Sequence, residues 1–262
     1  MKISSYSILS DCQEKDIREL MALCVEYEPV TMTFPMTNEN NCNQKRDCYY
    51  LLYEGKTLIN ATALYMPNEE TCEIMGFTHP KYRMQGAFSL ILEKIEEDFA
   101  GNKDVTFIFV TDGNSKDAEK SLQALESTFW YSEYMLELDL VSDQGKKHVT
   151  GDTKLSVIVE ESIGLDQKEL EITYYFCLDH NKVGRCMILL FSSYAYLYGL
   201  SIVENMRKQG YGTEFLDFIL KDLKKRCITK AKLQVNSYNQ IALHLYYAFG
   251  FTISGQMDYF LW

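Results

Sequence analysis

The sequence predicts a mixed α/β protein in which one fold occurs twice. Its 262 residues suit two domains of ordinary size, each able to bury its own core. Residues 82–89 (YRMQGAFS) align with residues 206–213 (MRKQGYGT), and both segments follow a β-rich run and precede an amphipathic helix. Runs with the two-residue period of strands alternate with runs at helical spacing. These observations place one copy of the same α/β fold in each half.

The first half begins with a helical pattern in which Ile17, Leu20, Met21 and Cys24 share one face. Short β-rich runs and further helical patterns follow it. The predicted elements, in order, are a helix over residues 16–27, strands over 49–53, 57–65 and 72–78, a helix over 86–99, a strand over 105–110, a helix over 118–125 and a strand over 134–141.

The second half repeats this order in shorter form. Its predicted elements are strands over residues 169–178, 183–191 and 196–203, a helix over 211–225, a strand over 232–235 and a helix over 239–249. Residues 142–152 (SDQGKKHVTGD) are polar and lack periodicity, which predicts a linker. The two domains are therefore expected to comprise residues 1–145 and 146–262.

The composition indicates a soluble intracellular protein. No apolar run is long enough to span a bilayer, and the N-terminus lacks the basic and apolar regions of a secretory signal. The eight cysteines include no CxxC pair, and most lie in apolar runs, as buried free thiols do. We therefore expect a cytoplasmic protein, and no cluster of Cys and His predicts a metal site.

The net charge of -11 argues against nonspecific nucleic-acid binding. Residues 1–145 carry 12 Lys and Arg against 25 Asp and Glu, whereas residues 146–262 carry 14 against 12, so a polyanionic ligand is less repelled by the second half. The basic residues near residues 206–213 in that half are Arg207, Lys208, Lys221, Lys224, Lys225, Arg226, Lys230 and Lys232. Those between 221 and 226 serve equally well to solvate one face of a helix.

Residues 200–213 (LSIVENMRKQGYGT) run from a strand through an RxxGxG turn into a helix. Gly210 and Gly212 let successive backbone N–H groups converge on one point, because residues without Cβ accept positive φ values and close approach. The start of the following helix adds its positive end. The segment predicts a pyrophosphate-binding turn, although a plain connecting turn fits it equally well when it is taken alone.

A second segment, residues 233–251 (LQVNSYNQIALHLYYAFGF), has the form NxxAxxLYxxxGF. Together the two segments resemble the coenzyme A binding motif and the following strand, helix and strand of the GNAT superfamily of N-acetyltransferases. The resemblance covers both halves but is more specific in the second. The matching positions are Arg207, Gly210, Gly212, Asn239, Ala242, Leu245, Tyr246, Gly250 and Phe251.

The resemblance implies the acyl-CoA N-acyltransferase fold in each half, a twisted and mostly antiparallel sheet flanked by helices. It also implies that two strands of the second half separate, with an acyl-pantetheine arm in the gap and the pyrophosphate on the backbone N–H groups of the turn. Acetyl-CoA is then the cosubstrate, and its acetyl group passes directly to an amine. The residues implied to bind it are Leu200, Ser201, Ile202, Arg207, Lys208, Gln209, Gly210, Tyr211, Gly212, Thr213 and Asn239, the last of which caps the helix or contacts the arm.

Tyr246 stands where the superfamily commonly has a tyrosine that protonates the leaving sulfur, so the resemblance implies that Tyr246 is the catalytic acid. The alternative is a tyrosine that packs in its helix with its hydroxyl satisfied elsewhere. No general base is predicted, since Gln234 occupies the strand position where relatives that modify protein N-termini carry glutamate. Glu204, Glu171 or a chain of waters fit the role equally well.

The first half keeps only part of this pattern. Phe88 replaces the second glycine, and residues 114–125 (NSKDAEKSLQAL) contain no tyrosine that matches Tyr246. Arg83, Gln85 and Gly86 remain, so coenzyme A binding by this half stays open. We expect a degenerate domain with a structural or substrate-recognising role, whose acidic surface attracts a cationic amine.

The sequence therefore predicts an acetyl-CoA dependent N-acetyltransferase of tandem architecture, with its working site in the second half and a small-molecule or peptide amine as acceptor. The main alternative is a non-catalytic protein that binds or senses acyl-CoA. A nucleotide-binding or redox protein fits poorly, because the chain has neither GxGxxG with a later ribose-binding acid nor a P-loop lysine motif. No nucleic acid, membrane or metal is expected to take part.

Overall fold

The computed structural model describes residues 1–101, 104–141, 155–163 and 170–262. The chain forms two compact units: unit 1 is Met1–Ser132 with Gly255–Trp262, and unit 2 is Glu133–Ser254. These bounds differ from the expected domains 1–145 and 146–262, because the strands β6 (Thr128–Asp139) and β12 (Thr252–Leu261) each contribute residues to both units. The predicted linker over residues 142–152 lies outside the described residues.

Unit 1 is a mixed α/β unit with a mostly antiparallel sheet. Besides its parts of β6 and β12, its elements are β1 (Lys2–Tyr6), α1 (Asp11–Tyr27), β2 (Tyr49–Glu54), β3 (Thr57–Tyr65), β4 (Thr71–Thr78), α2 (Ala87–Phe99), β5 (Thr106–Asp112) and α3 (Lys116–Ala124). The strand order is β1-β2-β3-β4-β5-β12. All neighbours pair antiparallel except β4 and β5, which are parallel.

Unit 2 has the same kind of sheet. Besides its parts of β6 and β12, its elements are β7 (Leu155–Ile163), β8 (Leu170–Leu178), β9 (Asn181–Leu190), β10 (Tyr194–Ile202), α4 (Tyr211–Lys225), β11 (Lys230–Asn236) and α5 (Gln240–Ala248). The strand order is β6-β11-β10-β9-β8-β7, and only β10 and β11 pair in parallel. The predicted fold class, two mixed α/β repeats with largely antiparallel sheets, is therefore confirmed.

Each unit has its own apolar core. In unit 2 the alternate residues Ala231, Leu233 and Val235 of β11 are buried in one cluster with Phe215 and Ile219 of α4. Successive strand residues face opposite sides of a sheet, so the residues between them, including Gln234, face away from this cluster. In unit 1 the helices α1 and α2 bury their apolar faces in a second cluster that also contains residues of β2 to β5.

Most predicted elements are present with ends shifted by a few residues, and α4 has the predicted bounds. The helix expected from residue 16 begins at Asp11, because a capping box starts it there. The Ser10 hydroxyl accepts a hydrogen bond from the Gln13 N–H, and the Gln13 side-chain oxygen accepts one from the Ser10 N–H. The sequence does not predict β1, β7 or β12. Their segments KISSY, LSVIVEESI and TISGQMDYFL form strands by pairing with β2, β8 and β5.

All eight cysteines are unpaired, and five of them are buried: Cys24, Cys48, Cys72, Cys177 and Cys186. This agrees with the prediction of mostly buried free thiols. Along the residues that the structure describes, no helix combines the length and the apolar character needed to cross a membrane.

Candidate functional site

In unit 2 the two parallel strands separate at the predicted place. β10 and β11 pair from Tyr194 and Lys230 to Leu197 and Leu233, but both strands continue beyond that pair. The pairing of β10 with β9 shifts between Tyr198 and Ser201, where Gly199 has a φ of 64°. The segment 200–202 therefore leaves its edge toward β11 unpaired, which is the backbone arrangement that an extended arm needs.

The turn after β10 has the geometry of an anion-binding concavity. Lys208 has a φ of 61° and Gly210 a φ of 87°, while Gln209 between them is outside the positive region. Such alternation turns successive N–H groups toward one point. The helix α4 begins at Tyr211, and the first N–H groups of a helix have no partner within it. Of the predicted amides, that of Thr213 already donates to the Gly210 carbonyl oxygen at 2.9 Å.

The space around this turn fits a bulky anion. Among the described residues, a Cβ at Gly210 would meet no atom within 4 Å, and a Cβ at Gly212 would meet only Leu245 Cδ2 at 3.9 Å and Ile202 Cγ1 at 4.0 Å. The described side chains therefore leave open the space beside these glycines. The turn can therefore accommodate the diphosphate of coenzyme A, because a ligand can approach its backbone closely.

Arg207 lies at the surface beside this turn. Its Nε donates to the Ile202 carbonyl oxygen at 2.9 Å, which ties the side chain to the end of β10. Its guanidinium makes no ion pair with any carboxylate among the described residues. The side chain of Gln209 turns back to the Asn205 carbonyl oxygen at 3.3 Å, so its backbone N–H is the group that can face a ligand.

Asn239 caps α5. Its Oδ1 accepts a hydrogen bond from the Ala242 N–H at 3.2 Å, as one of the two predicted roles requires. The cap fixes the start of the helix that carries Tyr246, so the motif residue acts here through the backbone.

Tyr246 is 8% exposed, and its ring packs 5.6 Å from that of Phe251. Its hydroxyl makes no hydrogen bond to any of the described residues. Burial, with a smaller effect from Cys186, raises the pKa of Tyr246 to about 12. The phenol therefore keeps its proton at neutral pH and can donate it. Neighbouring Tyr247 is exposed and lies on another side of the helix.

The sequence does not predict a hydrogen-bonded chain on the face of the unit 2 sheet that is opposite the core. Gln234 donates from Nε2 to a carboxylate oxygen of Glu133, and its Oε1 accepts from the Tyr196 hydroxyl at 3.3 Å. On the same sheet the Tyr198 hydroxyl donates to Glu171 at 3.1 Å. Of the two glutamates considered as bases, Glu171 thus lies on β8, and Glu204 is exposed in the short 3₁₀ turn before Arg207.

Unit 1 repeats the backbone of the site. Met84 has a φ of 57° and Gly86 a φ of 81°, matching Lys208 and Gly210 at the same offset along the chain. The parallel pairing of β4 and β5 likewise ends at Ile74 and Phe109, before either strand ends. A cavity of about 320 Å³ lies at this place, and apolar side chains such as Met32, Phe77, Phe88 and Leu122 line much of it.

In unit 1 the arginine of the turn is already paired. Arg83 Nη1 lies 2.9 Å from Glu28 and 3.3 Å from Asp117, and its Nε donates to the Thr78 carbonyl oxygen. Glu28 also accepts from the Ser115 hydroxyl at 2.9 Å and from the Lys116 N–H at 2.7 Å. The Glu28 carboxylate therefore binds both the first N–H group of α3 and the Arg83 guanidinium, which are the groups that an anionic ligand would need. Burial tends to raise the pKa of Asp117, but the hydrogen bond and charge of Arg83 outweigh it and lower that pKa.

Phe88 takes up space beside β4 and not in the turn itself, since a Cβ at Gly86 would meet no described atom within 4 Å. Phe88 stands where Gly212 stands in unit 2, and a Cβ at Gly76 would lie 2.7 Å from its Cε2, so the ring occupies space beside the end of β4. Leu122 takes the place of Tyr246 in the repeat and is buried in the unit 1 core. Unit 1 thus has the backbone of the turn, but its arginine is paired and Leu122 stands where unit 2 has Tyr246.

Comparisons with known proteins support the same reading of unit 2. A family model described as the acetyltransferase (GNAT) family matches residues 140–251. No curated protein matches the chain. Among the described residues, no three of His, Cys, Asp and Glu come together as a metal site would require.

Several solved structures are similar over 100% of this chain. One is a GCN5-related N-acetyltransferase from Sphaerobacter thermophilus, with a TM-score of 0.75 at 11% identity over 95% of that chain. Another is a tandem GNAT protein from the clavulanic acid biosynthesis pathway, with a TM-score of 0.72 at 13% identity over 98% of that chain. A third is a glucosamine N-acetyltransferase region of a fungal multi-domain GH3 β-N-acetylglucosaminidase, with a TM-score of 0.67 at 10% identity over 38% of that chain. At these identities the similarity shows the fold.

Proposed function

We propose that unit 2, where a family model described as the acetyltransferase (GNAT) family matches residues 140–251, transfers an acetyl group from acetyl-CoA directly to a primary amine. The observation that carries this proposal is the contrast between the two repeats. Arg207 makes no ion pair with a described carboxylate, whereas Arg83 is paired twice. Only an unpaired guanidinium attracts a diphosphate without first losing its own partners.

The residues of unit 2 have distinct tasks in this proposal. The backbone N–H groups of residues 208–212 and the Arg207 guanidinium bind the diphosphate. The unpaired edge of Leu200, Ser201 and Ile202 holds the pantetheine amides as an added strand would. When bound, acetyl-CoA supplies an acetyl group that is already activated as a thioester. The protein then has chiefly to orient the amine and to move protons.

Tyr246 is the proposed acid. Its buried phenol has no competing hydrogen-bond partner among the described residues, and its raised pKa keeps the proton available for the leaving sulfur. A phenol with a pKa near 12 acts mainly by donating a strong hydrogen bond as negative charge develops on sulfur. The acceptor remains a primary amine of unassigned identity. One similar solved structure is a glucosamine N-acetyltransferase region, so D-glucosamine belongs in the test panel.

The experiment compares Gly210→Glu with Gly86→Glu. Both glycines have a φ above 80°, and neither has an atom within 4 Å of its Cβ position, so the two changes carry the same strain. Acetyl-CoA should raise the melting temperature of the wild type and of Gly86→Glu but not that of Gly210→Glu. Protection that is lost only in Gly86→Glu would place the cosubstrate in unit 1 and contradict the proposal.

Activity is measured as release of the coenzyme A thiol from acetyl-CoA with putrescine, tyramine, L-lysine and D-glucosamine. Release that depends on an amine supports transfer. Binding of acetyl-CoA without release for any amine would favour the acyl-CoA sensor instead. We also propose a cytoplasmic location, which the eight unpaired cysteines support.

A further inference from the structure

Gln234 lies beside the gap in which the proposed transfer takes place, but its side chain cannot act as the base. It lies on β11 one residue beyond the last pair with β10, Leu197 with Leu233, and so at the point where the two strands separate. An amide cannot accept a proton at neutral pH. A base for an amine that attacks in this gap must therefore come from a neighbouring element.

β6 supplies a carboxylate at this point. It pairs with β11 along the whole of that strand, and the register ends with Asn236 opposite Glu133. Glu133 therefore lies on the side of β11 away from β10, at the end where β10 has separated. Gln234 connects the two sides, because it donates to Glu133 on β6 and accepts from Tyr196 on β10 at 3.3 Å.

The chain Glu133, Gln234 and Tyr196 lies on the face opposite Tyr246. Leu233, Val235 and Tyr246 belong to the buried cluster, whereas Gln234 is exposed between the first two. In the proposed transfer the acetyl group would lie in the gap between β10 and β11, with Tyr246 on one face of the sheet and Glu133 on the other. One residue can then take the proton from nitrogen while the other donates a proton to sulfur.

We propose that Glu133 is the general base of unit 2, held in place by Gln234, which Tyr196 orients in turn. One proton of the acceptor ammonium passes to the Glu133 carboxylate and on to solvent. The nitrogen lone pair then forms the bond to the acetyl carbon while the carbon–sulfur bond breaks. The nitrogen then gives its second proton to the Glu133 carboxylate, which is free again after releasing the first to solvent. Tyr246 gives its proton to the departing sulfur and is reprotonated from solvent, so the thiol, the amide and one released proton account for every atom. This inference rests on the proposed acetyl transfer.

Glu171 is the competing carboxylate. It accepts from Tyr198 at 3.1 Å, but it lies on β8, and β9 separates that strand from β10. Glu137 is a matched control on the same strand as Glu133, four residues along and so on the same face. It pairs with Lys230 at 2.6 Å and Lys232 at 3.1 Å instead of with Gln234.

The test measures kcat/KM for thiol release from acetyl-CoA between pH 6 and 10, with the panel amine that the wild type uses best. Glu133→Gln should lose roughly 100-fold at neutral pH, the usual contribution of a general base, and the loss should shrink at high pH where the amine is already neutral. Glu133→Asp should retain part of the activity. Glu137→Gln should keep the wild-type profile, and calorimetry should give the same affinity for acetyl-CoA in all variants.

Two results would overturn the assignment. One is a Glu133→Gln protein whose kcat/KM depends on pH as in the wild type. The result would be stronger still if Glu171→Gln, and not Glu133→Gln, lowered kcat/KM at neutral pH. The other is an equal loss at every pH together with weaker acetyl-CoA binding or a lower melting temperature, which a structural role produces. A wild type that releases no thiol with any amine would refute the proposed function itself, and the two failures are therefore distinguishable.

Discussion

Replacing Arg83 by alanine should destabilise unit 1, and the same change at Arg207 should not destabilise unit 2. The two arginines stand at equivalent positions of the repeat but differ in their partners. The side chains of Arg83, Glu28 and Asp117 are 14%, 11% and 19% exposed, so the change leaves two largely buried carboxylates without a counter-charge. Loss of one partner from a buried pair costs about 3–5 kcal/mol.

Arg207→Ala removes an exposed side chain with one backbone hydrogen bond of 2.9 Å. Surface changes of this kind cost at most about 1 kcal/mol. In calorimetry the transition of unit 1 should therefore fall by roughly 10 °C in Arg83→Ala, whereas Arg207→Ala should shift the melting temperature by no more than about 3 °C. Arg207→Ala should instead weaken acetyl-CoA protection.

The stability of Arg83→Ala relative to the wild type should also depend on pH. The lowered pKa of Asp117 means that its share of stability is fully present above its ordinary value of 3.8 and is lost as the pH falls through the folded value. The gap between wild type and Arg83→Ala should thus narrow below about pH 4. Adding Glu28→Gln and Asp117→Asn to Arg83→Ala should restore much of the lost stability. Equal destabilisation by the two arginine changes would refute the reasoning.

Three further outcomes are expected. Asp112→Ala should lower the free energy of unfolding in urea by at least about 3 kcal/mol, because this 2% exposed carboxylate accepts hydrogen bonds from the N–H groups of Thr31, Met32 and Asn114. The equivalent change in unit 2, Asn236→Ala, removes one hydrogen bond from the Tyr238 N–H and should cost about 1 kcal/mol, so equal costs would contradict the prediction. Tyr246→Phe should slow thiol release at least about 10-fold. The melting temperature should stay nearly constant, since the hydroxyl makes no hydrogen bond to a described residue, and unchanged release would show that Tyr246 has no catalytic role. Stability should fall as the pH rises from about 10 to 12, because Tyr246 ionises near pH 10 in the unfolded chain whereas burial keeps it protonated to about pH 12 in the folded protein. An alkaline absorbance titration of the folded protein in which every tyrosine ionises like free tyrosine would contradict this prediction.

Local patterns are enough to predict the turn and its helix. The RxxGxG segment gives the positive φ of Gly210 and the start of α4 at Tyr211, and the NxxAxxLY segment gives the cap at Asn239. Each of these depends on residues within one turn of each other, for which sequence spacing is a direct guide.

The partners of the two arginines cannot be read from such patterns. Glu28 follows α1 and lies 55 positions before Arg83, and no motif includes it. Only the packed fold brings it to the start of α3. The ion pairs of Arg83, and their absence at Arg207 among the described residues, are therefore properties of the tertiary structure, although the two turns are nearly the same in sequence.

Glu133 is missed for a different reason. The expected boundary after residue 145 assigns it to the first domain, whereas the β6 and β11 register places it in unit 2 beside Gln234. Strand pairing between segments a hundred residues apart leaves no local signal, since β propensity reports a half-buried surface and not a partner. Because the expected domain boundary lies after residue 145, the sequence does not place Glu133 in the same domain as Gln234.

The pairing of β12 with β5 has a consequence for synthesis. Residues Met257 to Leu261 pair with Ile108 to Asp112, and the Trp262 ring packs 5.0 Å from that of Phe109. A ribosome must therefore finish all of unit 2 before unit 1 receives its final strand. Until then the edge of β5 is open to wrong partners, and a chain cut at residue 132 should aggregate unless a peptide of residues 255–262 is added.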